Sequence, residues 1–400
     1  MADICFKNSK VRAHVAILTL YFALLPISTA LSGLLGSVSV INYVAVAYVA
    51  TAVLVGKVRF LIKRDNSALS LYFLYIMLSL FWNSRLKFNW YVSTTLLSII
   101  VALTALGDDY SDGEVFELKR GIIASFIICV FITIVNIGTL KGSRLSISLT
   151  SNMDINDFAC GFVIIVALLL STLFKDKKVN ITAFLSLVVC AGIIVFSGSR
   201  GAMLMAVTMV IAWVILEALD KKFLPIIVFG ILCALLLSSY WFLPDFVQSR
   251  LNIVTLIKDG GSGRSRIWRA AFERFGEGNI VKRVYGYGYG SFKNAVHYIA
   301  PGHTEAYESH NIFINMLIEG GAVGLSLLLF AFAKTFLQSY ENKNYCGMLA
   351  VVGLAVAGIS LDMQATRVFT AVFIIAIVFN RQALRSGLPL KSVICENSYE

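Results

Sequence analysis

Residues 121–139 read GIIASFIICVFITIVNIGT, with no charged side chain among them. About 20 apolar residues rising 1.5 Å each cross a hydrocarbon layer about 30 Å thick, so this stretch is predicted to span a membrane. Lipid offers the backbone no hydrogen-bond partner, which leaves the helix or the closed barrel as spanning structures. The ten-residue alternation of a barrel strand is missing, and a helix follows.

The same pattern recurs on both sides of this stretch. Of 400 residues, 58% are hydrophobic and 14% charged, against about 25% charged in an ordinary soluble domain. A water-soluble core cannot absorb that much apolar sequence. Spans are predicted near 14–31, 38–56, 67–82, 91–107, 121–139, 156–174, 180–196, 202–219, 223–243, 309–333, 345–361 and 366–380. The expected fold is therefore all-α, a polytopic integral membrane protein of about 12 transmembrane helices. An even number places both termini on one side. With that side inner, the inner segments hold 19 Lys and Arg and the short outer loops 6, so the positive-inside rule assigns both termini to the cytoplasm. Residues 1–243 then form helices one to nine, 244–308 a large outer loop, 309–380 helices ten to twelve, and 381–400 a cytoplasmic tail. Lys7, Lys10 and Arg12 before an apolar stretch ending at Ser28-Thr29-Ala30 mimic a secretory signal. With so many spans following, an uncleaved first helix is expected.

Several function classes fall away. Cys5, Cys129, Cys160, Cys190, Cys233, Cys346 and Cys395 show no CxxC spacing, and none lies in 244–308, so neither a disulfide framework nor a thiolate metal site is expected. The net charge of +11 comes from basic residues spread over short inner loops. These are topology signals, not a nucleic-acid patch. Tyr285-Gly286-Tyr287-Gly288-Tyr289-Gly290-Ser291-Phe292 lacks the GxxxxGK[ST] of a phosphate loop and is expected to form a turn packed by its tyrosines. His297, His303 and His310 stand at intervals of six and seven, which match no common zinc spacing.

The 244–308 stretch holds nine Lys or Arg and six acids, and loops this long are usually functional or disordered. Within it Arg264 to Phe275 reads as an amphipathic helix, with Ile267, Trp268, Ala271, Phe272 and Phe275 on one face. Such a helix lies in the headgroup plane or forms an ordinary solvated surface helix. Arg200 sits in the tight turn Ser197-Gly198-Ser199-Arg200-Gly201-Ala202, where it snorkels to headgroups or binds a ligand. Ser309-His310-Asn311 opens span ten. His14 is expected to be interfacial, His297 and His303 carry no fixed role, and Asp362 and Arg367 straddle the last outer turn as a candidate pair. Arg200, Arg264, Arg266 and His310 all fall at the outer boundary, where an anionic headgroup sits. Guanidinium donates two parallel charge-assisted bonds to phosphate, and imidazole has a pKa of about 6.5, suited to proton removal. The combination suggests a transferase, with arginines holding a lipid-linked diphosphate and a base deprotonating an incoming hydroxyl.

At these residues the sequence resembles the O-antigen ligase and polymerase superfamily. His310-Asn311, nine residues, then Gly321-Ala322-Val323-Gly324 is similar to the H[NSQ]x9GxxG pattern of the ligases. Asp154-Ile155-Asn156 with Phe158-Ala159, Ser199-Arg200-Gly201-Ala202, Arg266-Ile267-Trp268 and Gly288-Tyr289-Gly290-Ser291-Phe292 resemble further landmarks in the expected order. The likeness covers about residues 150–330. It implies a GT-C-like architecture with a periplasmic loop, in the inner membrane of a bacterium. It also implies transfer of polysaccharide from undecaprenyl diphosphate to a sugar hydroxyl of lipid A-core, inverting, without metal, ATP or other cofactor. His310 would be the base, and Arg200 and Arg266 would bind the diphosphate. Arg264 joins them from spacing alone, with Asn311 and Ser199 in support. The expected partners are the two lipid-borne substrates and membrane lipids, with no nucleic acid. An O-antigen polymerase and a pilin O-oligosaccharyltransferase use the same donor and remain alternatives. A transporter is disfavoured, because there is no internal repeat and the charges nearest to spans, Asp157, Glu217, Glu319 and Asp362, are isolated or near span ends.

Overall fold

The computed structural model describes residues 12–28, 39–55, 63–83, 90–140, 145–148, 152–175, 178–219, 263–299 and 306–386, with positions 245, 248 and 249. Predicted span nine, 223–243, and His303 lie outside the described residues. The protein is mostly helical. In chain order the helices are α1 (Ala13–Leu24), α2 (Val40–Leu54), α3 (Ser67–Ser79), α4 (Trp90–Gly107), α5 (Asp112–Val135), α6 (Ile155–Cys160), α7 (Val163–Ser171), α8 (Ile181–Ser197), α9 (Arg200–Leu219), α10 (Arg264–Glu277), α11 (Ile280–Tyr285), α12 (Phe292–Val296), α13 (Ile312–Glu341), α14 (Tyr345–Ser360) and α15 (Arg367–Ser386). Among the described residues the strands form two small antiparallel ladders: β1 (Ile147–Ser148) with β2 (Asn152–Met153), and β3 (Phe174–Lys175) with β4 (Lys178–Val179).

Each predicted span outside 223–243 falls on an apolar helix. Among the described residues four helices are long and apolar enough to cross a membrane: α5, α9, α13 and Arg367–Arg385 within α15. The others run to 10–17 residues, lengths a bilayer accommodates by thinning or by anchoring residues at the ends. Hydropathy misplaces some ends. Helix α5 begins at Asp112, well before residue 121, because Ser111 and Glu114 form a capping box: Ser111 Oγ accepts from the Glu114 N–H, and Glu114 Oε2 accepts from the Ser111 N–H at 2.9 Å. Span six is two helices, α6 and α7, interrupted at Gly161, where a Cβ would stand 3.2 Å from Pro26 Cβ. The end of α1 packs into that break.

The last long helix, α15, is the centre of the bundle. Its residues from Val368 to Phe379 are buried, and Phe369 and Phe373 pack edge-on with Phe332 of α13 at 5.2–6.3 Å. Close approach elsewhere depends on glycine: a Cβ on Gly121 of α5 would stand 2.6 Å from the Thr19 carbonyl oxygen of α1.

One end of the bundle is a layer of ion pairs. Arg12 donates to Asp108 at 2.8 Å and Glu114 at 2.6 Å, Lys63 to Asp109 at 2.8 Å, and Arg381 to Asp65 at 2.6 Å. Lys334 Nζ reaches the Arg64 carbonyl at 2.7 Å. All these residues come from segments predicted on one side. His14 is buried in this layer with Nε2 2.8 Å from Asp108 Oδ2, a structural partner and not an interfacial residue.

Candidate functional site

The opposite end gathers the chemistry. Gly198 ends α8 in the left-handed region (φ 62°), as a glycine after a helix commonly does. Ser199 then caps α9, its Oγ accepting from the Ala202 N–H at 3.4 Å. Ser199 is buried, so its place is that of a cap. The cap sets half-buried Arg200 as the first helical residue of α9. Next to it, a Cβ on Gly201 would overlap Ser360 Oγ at 1.8 Å, so the start of α9 lies flush on the end of α14.

The loop before α13 meets the same end of α14. Asn311 Oδ1 accepts from the N–H groups of Phe313 (2.9 Å) and Ile314 (3.0 Å), capping α13, while its Nδ2 donates to the Ile359 carbonyl at 3.1 Å. Ser309 Oγ accepts from the Asn311 N–H at 3.1 Å and donates to the Asn311 carbonyl at 2.9 Å. Trp268 of α10 donates its indole N–H to the Ser309 carbonyl at 2.9 Å. His310 is thus clamped from both sides at φ 48°, a conformation that a non-glycine residue keeps only when its surroundings impose it. Asn311→Ala should lose about 1 kcal/mol of cap stability and, by freeing His310, lower turnover roughly 10- to 100-fold. Asn311→Asp, which keeps the acceptors, should retain more of both when melting and initial rates are compared.

Helix α10 begins after Gly263 (φ 80°) with Arg264. Ile267 and Ala271 are buried against Ile314 and Ile318 of α13 and Phe292 of α12, with Trp268 and Phe275 beside them. The apolar face that sequence offers to the headgroup plane is therefore covered by protein, and only Phe272 is left exposed, at 54%. Arg264 is half-buried and Arg266 exposed.

Burial, then the positive charge of Arg264, hold the His310 imidazole below its usual pKa; Asp154, the cap of α6, acts the other way, and Lys293 acts with Arg264. Arg264, Asp154 and Lys293 thus share an electrostatic neighbourhood with His310. A depressed imidazole is neutral near pH 7 and free to accept a proton. Activity that needs neutral His310 rises with pH through this pKa, so its acid limb should lie below about pH 6.5. In Arg264→Gln a lowering influence is gone, and the acid limb of the residual activity should move to higher pH.

Sequence reasoning missed a buried polar network beneath the histidine. Asn311, Asn315 and Glu319 recur at four-residue intervals, a stripe along one face of α13 that was visible in the sequence. Asn315 Nδ2 donates to Tyr91 Oη at 3.1 Å, and Tyr91 donates to Asp362 Oδ2 at 2.9 Å. Burial and the charge of Glu308 push Asp362 up to about 7 against the pull of the Tyr91 bond. The expected Asp362–Arg367 pair is not formed, since Arg367 donates to Asn42 Oδ1 at 2.5 Å. His297 caps the end of α12 at the surface and makes no contact that joins it to His310.

The Tyr-Gly repeat is a backbone strap. Helix α13 breaks at Gly321 (φ 63°), which frees carbonyls in the turn before it. The N–H of Tyr287 binds the Ile318 carbonyl at 2.9 Å, the N–H of Gly288 binds that of Glu319 at 2.8 Å, and Tyr75 Oη binds that of Gly320 at 2.6 Å. Glu319 Oε1 accepts from the Phe292 N–H at 3.0 Å. Of the tyrosines expected to pack this turn, Tyr289 is buried and stacks on Tyr91 at 5.3 Å while Tyr285 is exposed, and the break that the strap seals is the first glycine of the GxxG pattern.

Residues 185–329 match the family model described as O-antigen ligase. The match covers just over a third of the chain and includes Ser199, Arg200, Arg264, Arg266, His310 and Asn311. No curated protein matches the chain.

Proposed function

We propose, with that family match as the premise, that the chain is an O-antigen ligase moving a polysaccharide from undecaprenyl diphosphate to a sugar hydroxyl of lipid A-core. The observation that carries the reading is the clamped, half-buried His310 in the field of Arg264 within the matched segment. His310 takes the proton from the acceptor hydroxyl as its oxygen attacks the anomeric carbon. The bond from that carbon to the diphosphate oxygen breaks, and the diphosphate leaves with the electron pair. One displacement inverts the centre. Arg200, Arg264 and Arg266 hold the leaving group and stabilise its developing charge. A diphosphate ester is already activated, so neither ATP nor metal enters the scheme. The 244–308 segment is the periplasmic loop in this reading, 309–380 carry the last three spans, and both termini face the cytoplasm of a bacterial inner membrane.

Arg266→Lys keeps the charge but loses the bidentate fork, and ligation should fall about tenfold or more, an interaction of about 1.4 kcal/mol or above. Wild-type ligation at normal protein level would remove Arg266 from the diphosphate site. Lipopolysaccharide gels of a deletion strain separate the two nearest readings. Unmodified core with full-length polymer retained on the lipid carrier means ligase, and core bearing a single repeat unit means polymerase.

A further inference from the structure

The short helix α11 leaves its apolar side chains uncovered. Ile280 is 72% and Val281 57% exposed, and Tyr285 is exposed as well. It stands beside a second uncovered apolar face: Leu71, Leu74, Leu78 and Phe81 are exposed at helical spacing along α3 and its terminal turn, Phe81 at 88%. The two elements are joined, because Tyr75 Oη and Trp82 Nε1 both donate to the Tyr285 carbonyl, at 3.0 and 3.3 Å. Depth agrees. The strap following α11 binds α13 at Ile318 and Glu319, and a Cβ on Gly321 would meet the Val284 carbonyl at 2.5 Å. Gly321 lies nine residues beyond Ile312, about 13 Å along the helix from the level of His310. The cations of this region face the other way: Arg274 and Lys282 lie over the Tyr287 ring at 4.9 and 5.2 Å, and Arg283 donates to the Gly276 carbonyl.

We propose that α11 is a membrane-seated foot of the segment bearing α10, with Ile280, Val281 and Tyr285 in the acyl region of the leaflet on the His310 side. Its occupant is lipid, because the uncovered apolar side chains stand beside those exposed on the apolar helix α3, to which α11 is hydrogen-bonded. The foot sets the height of α10, whose first turn carries Arg264 and Arg266, so a diphosphate on a lipid tail would arrive at guanidinium depth. The seating itself depends on the chain being a membrane protein and not on which glycan it transfers.

The test uses full-length protein in vesicles of phosphatidylethanolamine and phosphatidylglycerol. Cys5, Cys233 and Cys395 are replaced by serine, and buried Cys129, Cys160, Cys190 and Cys346 are kept. Nitroxides are placed at Ile280→Cys and Val281→Cys, with Glu277→Cys as the aqueous reference, its native side chain being 70% exposed. Oxygen should relax the labels at 280 and 281 several-fold more than a water-soluble nickel chelate does, with the order reversed at 277. Nickel access at 280 and 281 equal to that at 277 would overturn the proposal in favour of a solvated surface. Protection from both agents would overturn it in favour of a protein partner on this face.

Discussion

His310→Ala should lower glycan transfer about 10²- to 10⁴-fold, the usual contribution of a positioned general base, at unchanged protein level and melting temperature. The stability half of this expectation follows from the local structure. The bonds that close the start of α13 run through the Asn311 side chain, Ser309 Oγ and the Trp268 indole, and none uses the His310 ring. The activity half depends on His310 being the base. A variant with near-normal turnover would show that another group takes the proton, and Asp362, pushed up to about 7, would be the next candidate.

The largest effect on folding is expected at Gly286. Its φ of 74° with ψ of −170° belongs to a region that is essentially glycine-only. A Cβ there would lie 2.2 Å from the Glu319 carbonyl oxygen and 2.5 Å from the Gly321 nitrogen. Both are backbone atoms at the break of α13, so no rotamer change relieves the overlap. Gly286→Ala must pull the strap off the helix and strand the carbonyls that it satisfies, at a cost of roughly 3–5 kcal/mol. The purified variant should melt well below wild type or fail to accumulate. Gly263→Ala is the control: φ is 80°, but a Cβ there has nothing within 4 Å, and the loss should be nearer 1 kcal/mol. Equal melting temperatures for the two variants would show that the strap does not hold α13.

Long apolar runs made the helices legible, since solvent sorting acts on every residue of a span. Boundaries were less so. The start of α5 was set by Ser111 and Glu114, a polar pair that hydropathy discounts, and the α6–α7 break by close packing of Gly161 on Pro26. Arg200, Arg264, Arg266 and His310 could be proposed because charge at a membrane boundary is costly and seldom idle. What holds them could not: Trp268 on Ser309 and Asn311 on Ile359 are contacts between residues tens of positions apart. The same limit sent Asp362 to Arg367, its near neighbour in sequence, when its partner is Tyr91, 271 residues away. Composition likewise left α10, the longer amphipathic helix, between the headgroup plane and a solvated surface, whereas its apolar face is covered by α12 and α13.

The most direct test is single-turnover transfer by the purified protein, wild type and His310→Ala, given glycan on undecaprenyl diphosphate and lipid A-core, with chelator present and no nucleotide. A new covalent core–polysaccharide product from wild type, absent with His310→Ala, is the predicted result. An intact donor with wild type, or equal product from both proteins, would contradict it.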